Sequence, residues 1–455
     1  MLFSKVLHPL LASACLANAL VTRQERSHNA PSPKDGHWVD TWVSMPQLTE
    51  PANLPPAPYN GSNSVFPNTT IRQTIKTTIG ASSHIRLRIS NAFGLTELPI
   101  TAASVALARA EAGQNKTGAS GIELSTSQGI TFSNNASITI PPGALAISDP
   151  IPLSVQAIQI LSISLYLASG QQGFAITSHP GSRTTSWLSF GDQTSAANFT
   201  DASTQSTAHW YLISALEAWS PRNSKSLVIV GDSITDGRGS TTNGNDRWPD
   251  QLFSRLQSGN ANLKSIAISN QAAGGNRILA DGLGPSALSR IERDVLAHPN
   301  AGYALIFEGV NDIGTAVSTP EAQEAVYNRL VQGYKQILSR IHADGIPVFG
   351  ATITPFGCLN STLQAYSTPQ REVTRSRINE FIRNSVGKQG GFEALVDFDR
   401  IVRDPTNETR LRPDLDSGDC LHLNPKGYKT MAEGFPVEVF ARFRDGVSGF
   451  VWMRW

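Results

Sequence analysis

A chain of 455 residues exceeds one ordinary domain and is long enough to bury two sizeable cores. Hydrophobic residues make up 40% of it and charged residues 16%, the proportions of a soluble globular protein and not of a disordered one. The formal net charge is +1 and no cluster of Lys and Arg stands out, which removes any electrostatic case for nucleic acid or an anionic membrane as partner.

The first residues have the pattern of a secretory signal over 1–19. Lys5 supplies the positive charge, Val6 to Leu20 is largely apolar, and Ala17-Asn18-Ala19 offers a small-x-small cleavage site. That run is short for a membrane span and holds His8 and Pro9, and no later stretch reaches about 18 uninterrupted apolar residues, so no stable membrane anchor is expected. Residues 20–36 are polar and read as a linker or pro-segment. Cys15 would leave with the signal, and the two remaining cysteines, Cys358 and Cys420, point in an oxidising compartment to one disulfide; two buried free thiols are the alternative. Seven Asn-x-Ser/Thr sequons, at Asn60, Asn68, Asn115, Asn135, Asn198, Asn360 and Asn407, agree with a secreted, extracellular glycoprotein.

From 37 to 216 short β-rich runs follow one another with little helical periodicity. Thr70 to Thr78 alternates loosely between apolar and polar, and His84 to Ser90 alternates strictly, with Ile85, Leu87 and Ile89 on one face. Further runs are Ala103–Leu107, Ile138–Ile140, Ile158–Leu167 and Trp210–Ala215, separated by turn-rich stretches such as Glu111–Gly121 and Pro141–Gly143. Many short strands at this spacing predict an antiparallel β-sandwich-like domain. It reads either as a structural cover for its neighbour or as a carbohydrate-binding appendage.

Residues 217–225, with Pro221, read as the linker between domains. After it, from 226 to 455, strand-like runs alternate with helix-like ones. The strands are Ser226–Val230, Ser265–Ser269, Ala304–Phe307, Pro347–Ala351 and Leu395–Phe398. Helical spacing is carried by Trp248, Leu252 and Leu256, by Leu288, Ile291 and Val295, and by Ile378, Phe381 and Ile382. The clearest helix runs through Val326, Leu330, Tyr334, Ile337 and Ile341, behind a Ser318…Glu321 capping-box pattern. This alternation predicts an α/β domain with a mainly parallel sheet covered on both faces. The two tryptophans of the chain end, 449–455, are expected to be packed.

The chemistry gathers where these strands end. Ser226 to Val230 reads as a fully buried strand that stops at Gly231, and Ser233 follows at the edge where α/β sheets carry their ligands. A serine there is either part of a polar turn or a nucleophile, depending on whether a base and an oxyanion site are supplied elsewhere. Asp419-Cys420-Leu421-His422, after the last strand, offers an aspartate that can hold the Nδ1 proton of an imidazole and leave Nε2 facing a serine. Asn270–Arg277, with the Gly274-Gly275 pair, and Gly309-Val310-Asn311-Asp312 bring backbone and amide donors from two further loops.

Gly231-Asp232-Ser233, Gly275 within Asn270–Asn276, Gly309-x-Asn311-Asp312 and Asp419-x-x-His422 together resemble the four motif blocks of the SGNH (GDSL-type) esterases and acylhydrolases, in order and over roughly 224–445. The resemblance implies a flavodoxin-like three-layer α/β/α domain with Ser233 as nucleophile, His422 as base and Asp419 orienting it. Ser233 N–H, Gly275 N–H and the Asn311 side chain would form the oxyanion hole, Gly275 being favoured over Gly274 by its spacing to Asn270. Ile234 stands where the family usually has leucine, an apolar exchange that touches nothing catalytic. A β-rich N-terminal module also resembles secreted two-domain members.

Competing motifs fail. Thr235 breaks any Gly-x-Ser-x-Gly elbow around Ser233, no His-Glu-x-x-His or Cys-x-x-Cys supports a metal, and neither a dinucleotide loop nor a Walker lysine is present, so no cofactor and no metal are expected. His84, His179, His209, His298 and His342 read as structural. The expectation is a secreted, monomeric serine esterase acting on short acyl esters of extracellular carbohydrate. A lipase or lysophospholipase is the alternative, and a carbohydrate-binding or adhesive protein with an idle hydrolase domain a third.

Overall fold

The computed structural model describes residues 34–110, 113–360 and 362–447. The expected signal at 1–19, most of the 20–36 segment and the chain end at 449–455 lie outside these residues.

Antiparallel strands build the N-terminal half because its runs alternate in polarity and end in turns. One sheet takes the strands His37–Val43, Ile213–Ser220, Ile85–Ser90 and Leu145–Ile147, in that spatial order. A larger one is centred on Thr69–Lys76 and Ile160–Leu167, flanked by Ser186–Phe190 and Ala102–Arg109. Ile85, Leu87, Ile89 and Leu216 from the first sheet share one buried core with Ile71, Ile75, Leu161, Ile163 and Leu165 from the second. Side chains two apart fall on one face of a strand, so this is the packing that the alternation of Ile85–Ser90 dictates.

The strand Ile213–Ser220 extends through Glu217, whose carboxylate bridges Arg86 and Arg88 of the neighbouring strand. The connection between the domains is therefore Pro221–Ser224 and not the whole of 217–225.

Five parallel strands then form one sheet: β1 (Lys225–Gly231), β2 (Ile266–Ala272), β3 (Ala301–Phe307), β4 (Val348–Ala351) and β5 (Ala394–Val396), in the order β2-β1-β3-β4-β5. The direction of winding reverses at β1. Right-handed crossovers consequently place the helix Trp248–Gln257 on one face and Pro320–Ala343 and Pro369–Ser385 on the other. The result is the flavodoxin-like α/β/α order, whose ligand site lies outside the C-terminal ends of β1 and β3.

Two local expectations are corrected. The long helix is capped by Thr319, whose hydroxyl accepts the Ala322 N–H, with Pro320 at the first helical position; Ser318 Oγ instead pairs with Thr368 Oγ1. The strand expected over Ser265–Ser269 runs on to Ala272, because the Asn270 side chain donates to the Thr235 carbonyl and that of Gln271 pairs with the His298 ring.

The two domains meet edge to edge. His37–Val43 packs beside β2, Ile268 N–H donates to Thr78 Oγ1 (3.2 Å), and Val39, Ile79 and Ala267 form a small apolar cluster of their own. Two buried His–Asp contacts cross the boundary in opposite directions, His298 Nδ1 to Asp40 Oδ2 (2.5 Å) and His179 Nε2 to Asp236 Oδ1 (2.9 Å). Of the sequon asparagines, Asn60, Asn68, Asn115, Asn135 and Asn360 are exposed, and Asn198 and Asn407 are half-buried.

Candidate active site

Ser233 owes its place to an abrupt change of backbone. β1 ends at Gly231, where a Cβ would lie 2.6 Å from Thr235 Oγ1, and Asp232 caps a single helical turn, Ser233–Asp236, by accepting the Ile234 N–H at 2.9 Å. Gly237, at φ +96°, closes that turn in a conformation that a side chain would strain. Burial pushes the Asp232 carboxyl up to about 7, with Asp312 and Asp236 nearby adding to the rise and the Ile234 N–H opposing it.

Ser233 Oγ lies 2.7 Å from His422 Nε2, and His422 Nδ1 lies 2.6 Å from Asp419 Oδ2. The other carboxylate oxygen, Oδ1, accepts the main-chain N–H groups of His422 (2.8 Å) and Leu421 (3.1 Å). Burial works against the charge on Asp419, but these bonds from the His422 ring and main chain hold its carboxyl well below the usual carboxylate range. An ionised Asp419 accepts a hydrogen bond from Nδ1–H, which keeps the ring proton on that nitrogen, so Nε2 presents its lone pair to the Ser233 hydroxyl. The turn carrying both residues is fixed from three sides. Asp416 accepts the N–H of Gly418 and Cys420, Gln364 Nε2 donates to the Asp419 carbonyl at 3.1 Å, and Cys420 is bonded to Cys358.

Gly309, at φ +109°, starts the helix Val310–Thr315 and puts Asn311 at the mouth of β3. Asn311 Nδ2 donates to the Asn276 carbonyl at 2.9 Å, and its Oδ1 accepts the Tyr366 hydroxyl at 3.1 Å. An amide has two N–H donors, so one remains for a ligand. Asp312 accepts the N–H groups of Ile278 (2.8 Å) and Leu279 (2.9 Å), which ties this helix to the loop after β2.

In that loop the Gly274 N–H donates to Asp236 Oδ2 at 3.1 Å. Gly275 follows at φ +71°, and neither its N–H nor that of Ser233 donates to any described residue. Beneath the loop, the buried guanidinium of Arg290 binds the Asn276 side chain through Nε and Nη2, the Gln271 carbonyl and Asp294. Glu308 lies against Arg290 too, and burial together with Asp232 raises its carboxyl well above the ordinary value.

The five catalytic and oxyanion residues named from sequence, Ser233, Gly275, Asn311, Asp419 and His422, thus lie at one sheet edge on four loops, and the expected Cys358–Cys420 bond is present. Sequence reasoning did not find Tyr366, Arg290, Asp236 or the link from Asp236 to His179. Their partners lie 14 to 57 positions off in the chain, and no local spacing announces them. Among the described residues no group of three or more His, Cys, Asp and Glu gathers as metal ligands would. The arrangement can move a proton from a hydroxyl to an imidazole beside uncommitted N–H donors, which is what acyl transfer needs.

The model of the GDSL-like lipase/acylhydrolase family matches residues 229–430. Among solved structures, a putative lipolytic protein of the G-D-S-L family from Desulfitobacterium hafniense DCB-2 is 20% identical, aligning over 46% of this chain and 97% of its own with a TM-score of 0.34. A carbohydrate acetylesterase family member from Sinorhizobium meliloti is 16% identical over 48% and 98% of the two chains, with a TM-score of 0.36. The acetyl xylan esterase AlAXEase is 18% identical over 46% and 96%, with a TM-score of 0.33. No curated protein matches the chain.

Proposed function

Residues 229–430 form a domain of the GDSL-like lipase/acylhydrolase family, which makes the chain a carboxylic ester hydrolase, and we propose that it removes short acyl groups from extracellular carbohydrate by a serine acyl-enzyme route. The observation that carries the mechanism is the unbroken hydrogen-bonded line from Ser233 Oγ through the His422 ring to Asp419. Ser233 Oγ attacks the ester carbonyl as its proton passes to His422 Nε2. The charge that develops on the carbonyl oxygen is met by Ser233 N–H, Gly275 N–H and the second Nδ2–H of Asn311. Collapse breaks the ester C–O bond, and the His422 proton leaves with the alcohol. Water, deprotonated by the same nitrogen, then attacks the acyl carbonyl and frees Ser233 and the acid.

The signal-like pattern of the first 19 residues, the seven sequons and the β-rich module support a carbohydrate ester in this reading, and the lack of a long apolar lid in the sequence supports a short acyl group. The test is hydrolysis of p-nitrophenyl acetate and release of acetate from an acetylated polysaccharide by the full chain and by Ser233→Ala. Loss of both activities in the variant is expected. A Ser233→Ala protein as fast as the parent refutes the mechanism, and a parent inert on the polysaccharide refutes the substrate.

One observation favours the lipid-ester alternative. Leu283, Leu359 and Leu363 are 54%, 85% and 52% exposed, on the loops that carry Gly275 and that tie down Asp419. A series of p-nitrophenyl esters in which the rate rises with acyl length decides for that reading.

A further inference from the structure

The Gly274-Gly275 pair has no side chains to restrict its backbone, so the hydrogen bonds around it bear directly on where its N–H groups point. The bond that fixes it at this point is Gly274 N–H to Asp236 Oδ2. Asp236 is the last residue of the helical turn that Ser233 begins. Its other oxygen faces a residue of the N-terminal domain: His179 Nε2 lies 2.9 Å from Asp236 Oδ1. His179 Nδ1 in turn lies 3.0 Å from the Met45 carbonyl. Both ring nitrogens of His179 thus have an oxygen partner, one from each domain. His179 is 3% exposed and Asp236 4%, so this contact is shielded from water.

A second contact bears on the same carboxylate. Gly181, two residues past His179, lies so close that a methyl group there would overlap Asp236 Oδ2. The loop after β2 also leans on the N-terminal domain further along, where a Cβ on Gly284 would lie 3.2 Å from Met45 Cε.

We infer that the N-terminal domain is an integral part of the ester-cleaving site and that His179 is the residue through which it acts. By fixing Asp236, His179 fixes the Gly274 amide and so aims the next N–H, that of Gly275, at the oxyanion. It touches no reacting atom and is a positioning residue. This rests on the reading of Gly275 as an oxyanion donor and explains how a separate fold can govern it.

The test uses the full-length chain and p-nitrophenyl acetate, with kcat and KM expressed per folded molecule from the amplitude of each variant's unfolding transition. His179→Ala lowers kcat by about tenfold or more, as displacement of a catalytic donor does, and leaves KM within about twofold. His179→Gln, whose amide can still donate to Asp236, recovers most of kcat, a rescue that a merely structural role does not give. Gly181→Ala presses on Asp236 without removing the ring and lowers kcat in the same way. Parental kcat in His179→Ala or Gly181→Ala, with Ser233→Ala inactive, overturns the positioning role alone. Equal losses in His179→Ala and His179→Gln also overturn it. Full activity in Ser233→Ala overturns the underlying reading, and this one with it.

Discussion

Tyr366 donates its hydroxyl to Oδ1 of Asn311 over 3.1 Å, which leaves the Asn311 amide only one way round. With Oδ1 accepting from Tyr366 and one Nδ2–H spent on the Asn276 carbonyl, the remaining N–H is aimed by two partners from different loops. The Tyr366 ring is itself fixed: it occupies the space above Gly314, where a Cβ would collide with it, and it meets Phe356 edge-on.

Tyr366→Phe keeps the ring and removes the hydroxyl. Loss of an oxyanion donor costs on the order of 100-fold in kcat, so a donor left partly misaligned is expected to cost about tenfold, with KM little changed. Combined with Asn311→Ala, Tyr366→Phe adds nothing, since the two act through one group. Steady-state kinetics on p-nitrophenyl acetate reads both. Additive losses in the double variant sink this account.

The Cys358–Cys420 bond joins the loop that carries Tyr366 to the turn that carries Asp419 and His422. It spans 62 positions of sequence, and a closed loop of that size stabilises the fold by about 4 kcal/mol in the chain-entropy picture. Replacing both cysteines by serine is expected to lower the urea midpoint and, because one clamp on the Asp419 turn is gone, to lower kcat as well. A double variant that unfolds at the parental urea concentration with parental kcat contradicts both effects.

Asp232 gives a pH dependence whose sign is fixed. Its folded carboxyl is pushed up to about 7 by burial and by neighbouring carboxylates. A group raised in this way contributes stability that is whole below its unfolded value of about 3.9 and is lost as pH rises through the folded value. Within that window the loss reaches up to about 1.4 kcal/mol per pH unit. Asp232→Asn retains a capping oxygen and cannot titrate, so the parent loses ground against it between about pH 4 and pH 7. Urea unfolding of both proteins across that range measures the difference. A difference that does not change with pH rules this out.

What the sequence determined by itself is what depends on near neighbours. A buried β-branched run that stops at Gly231 marked β1, and the alternation of Ile85, Leu87 and Ile89 marked a two-faced strand. The spacing of Asp419 and His422 sufficed because a carboxylate three residues before an imidazole reaches it within one turn. The motif residues on four loops could be assembled in advance only because parallel strands all deliver their C-terminal ends to one edge.

Other features were decided by the tertiary structure alone. Thr319 and not Ser318 caps the long helix, because Ser318 finds Thr368 across the fold. β2 continues through the polar pair Asn270 and Gln271, since Thr235 and His298 stand ready to bind them. Tyr366, Arg290 and His179 carry no signal in their own surroundings. Tyr366 lies 55 positions from Asn311 and His179 57 from Asp236, and Arg290 reaches back 14 positions to Asn276. A hydrogen bond depends on distance in space, and the chain reports only distance along itself. The site residues were therefore legible one loop at a time, whereas the side chains that hold them in register became visible only when the two domains were packed together.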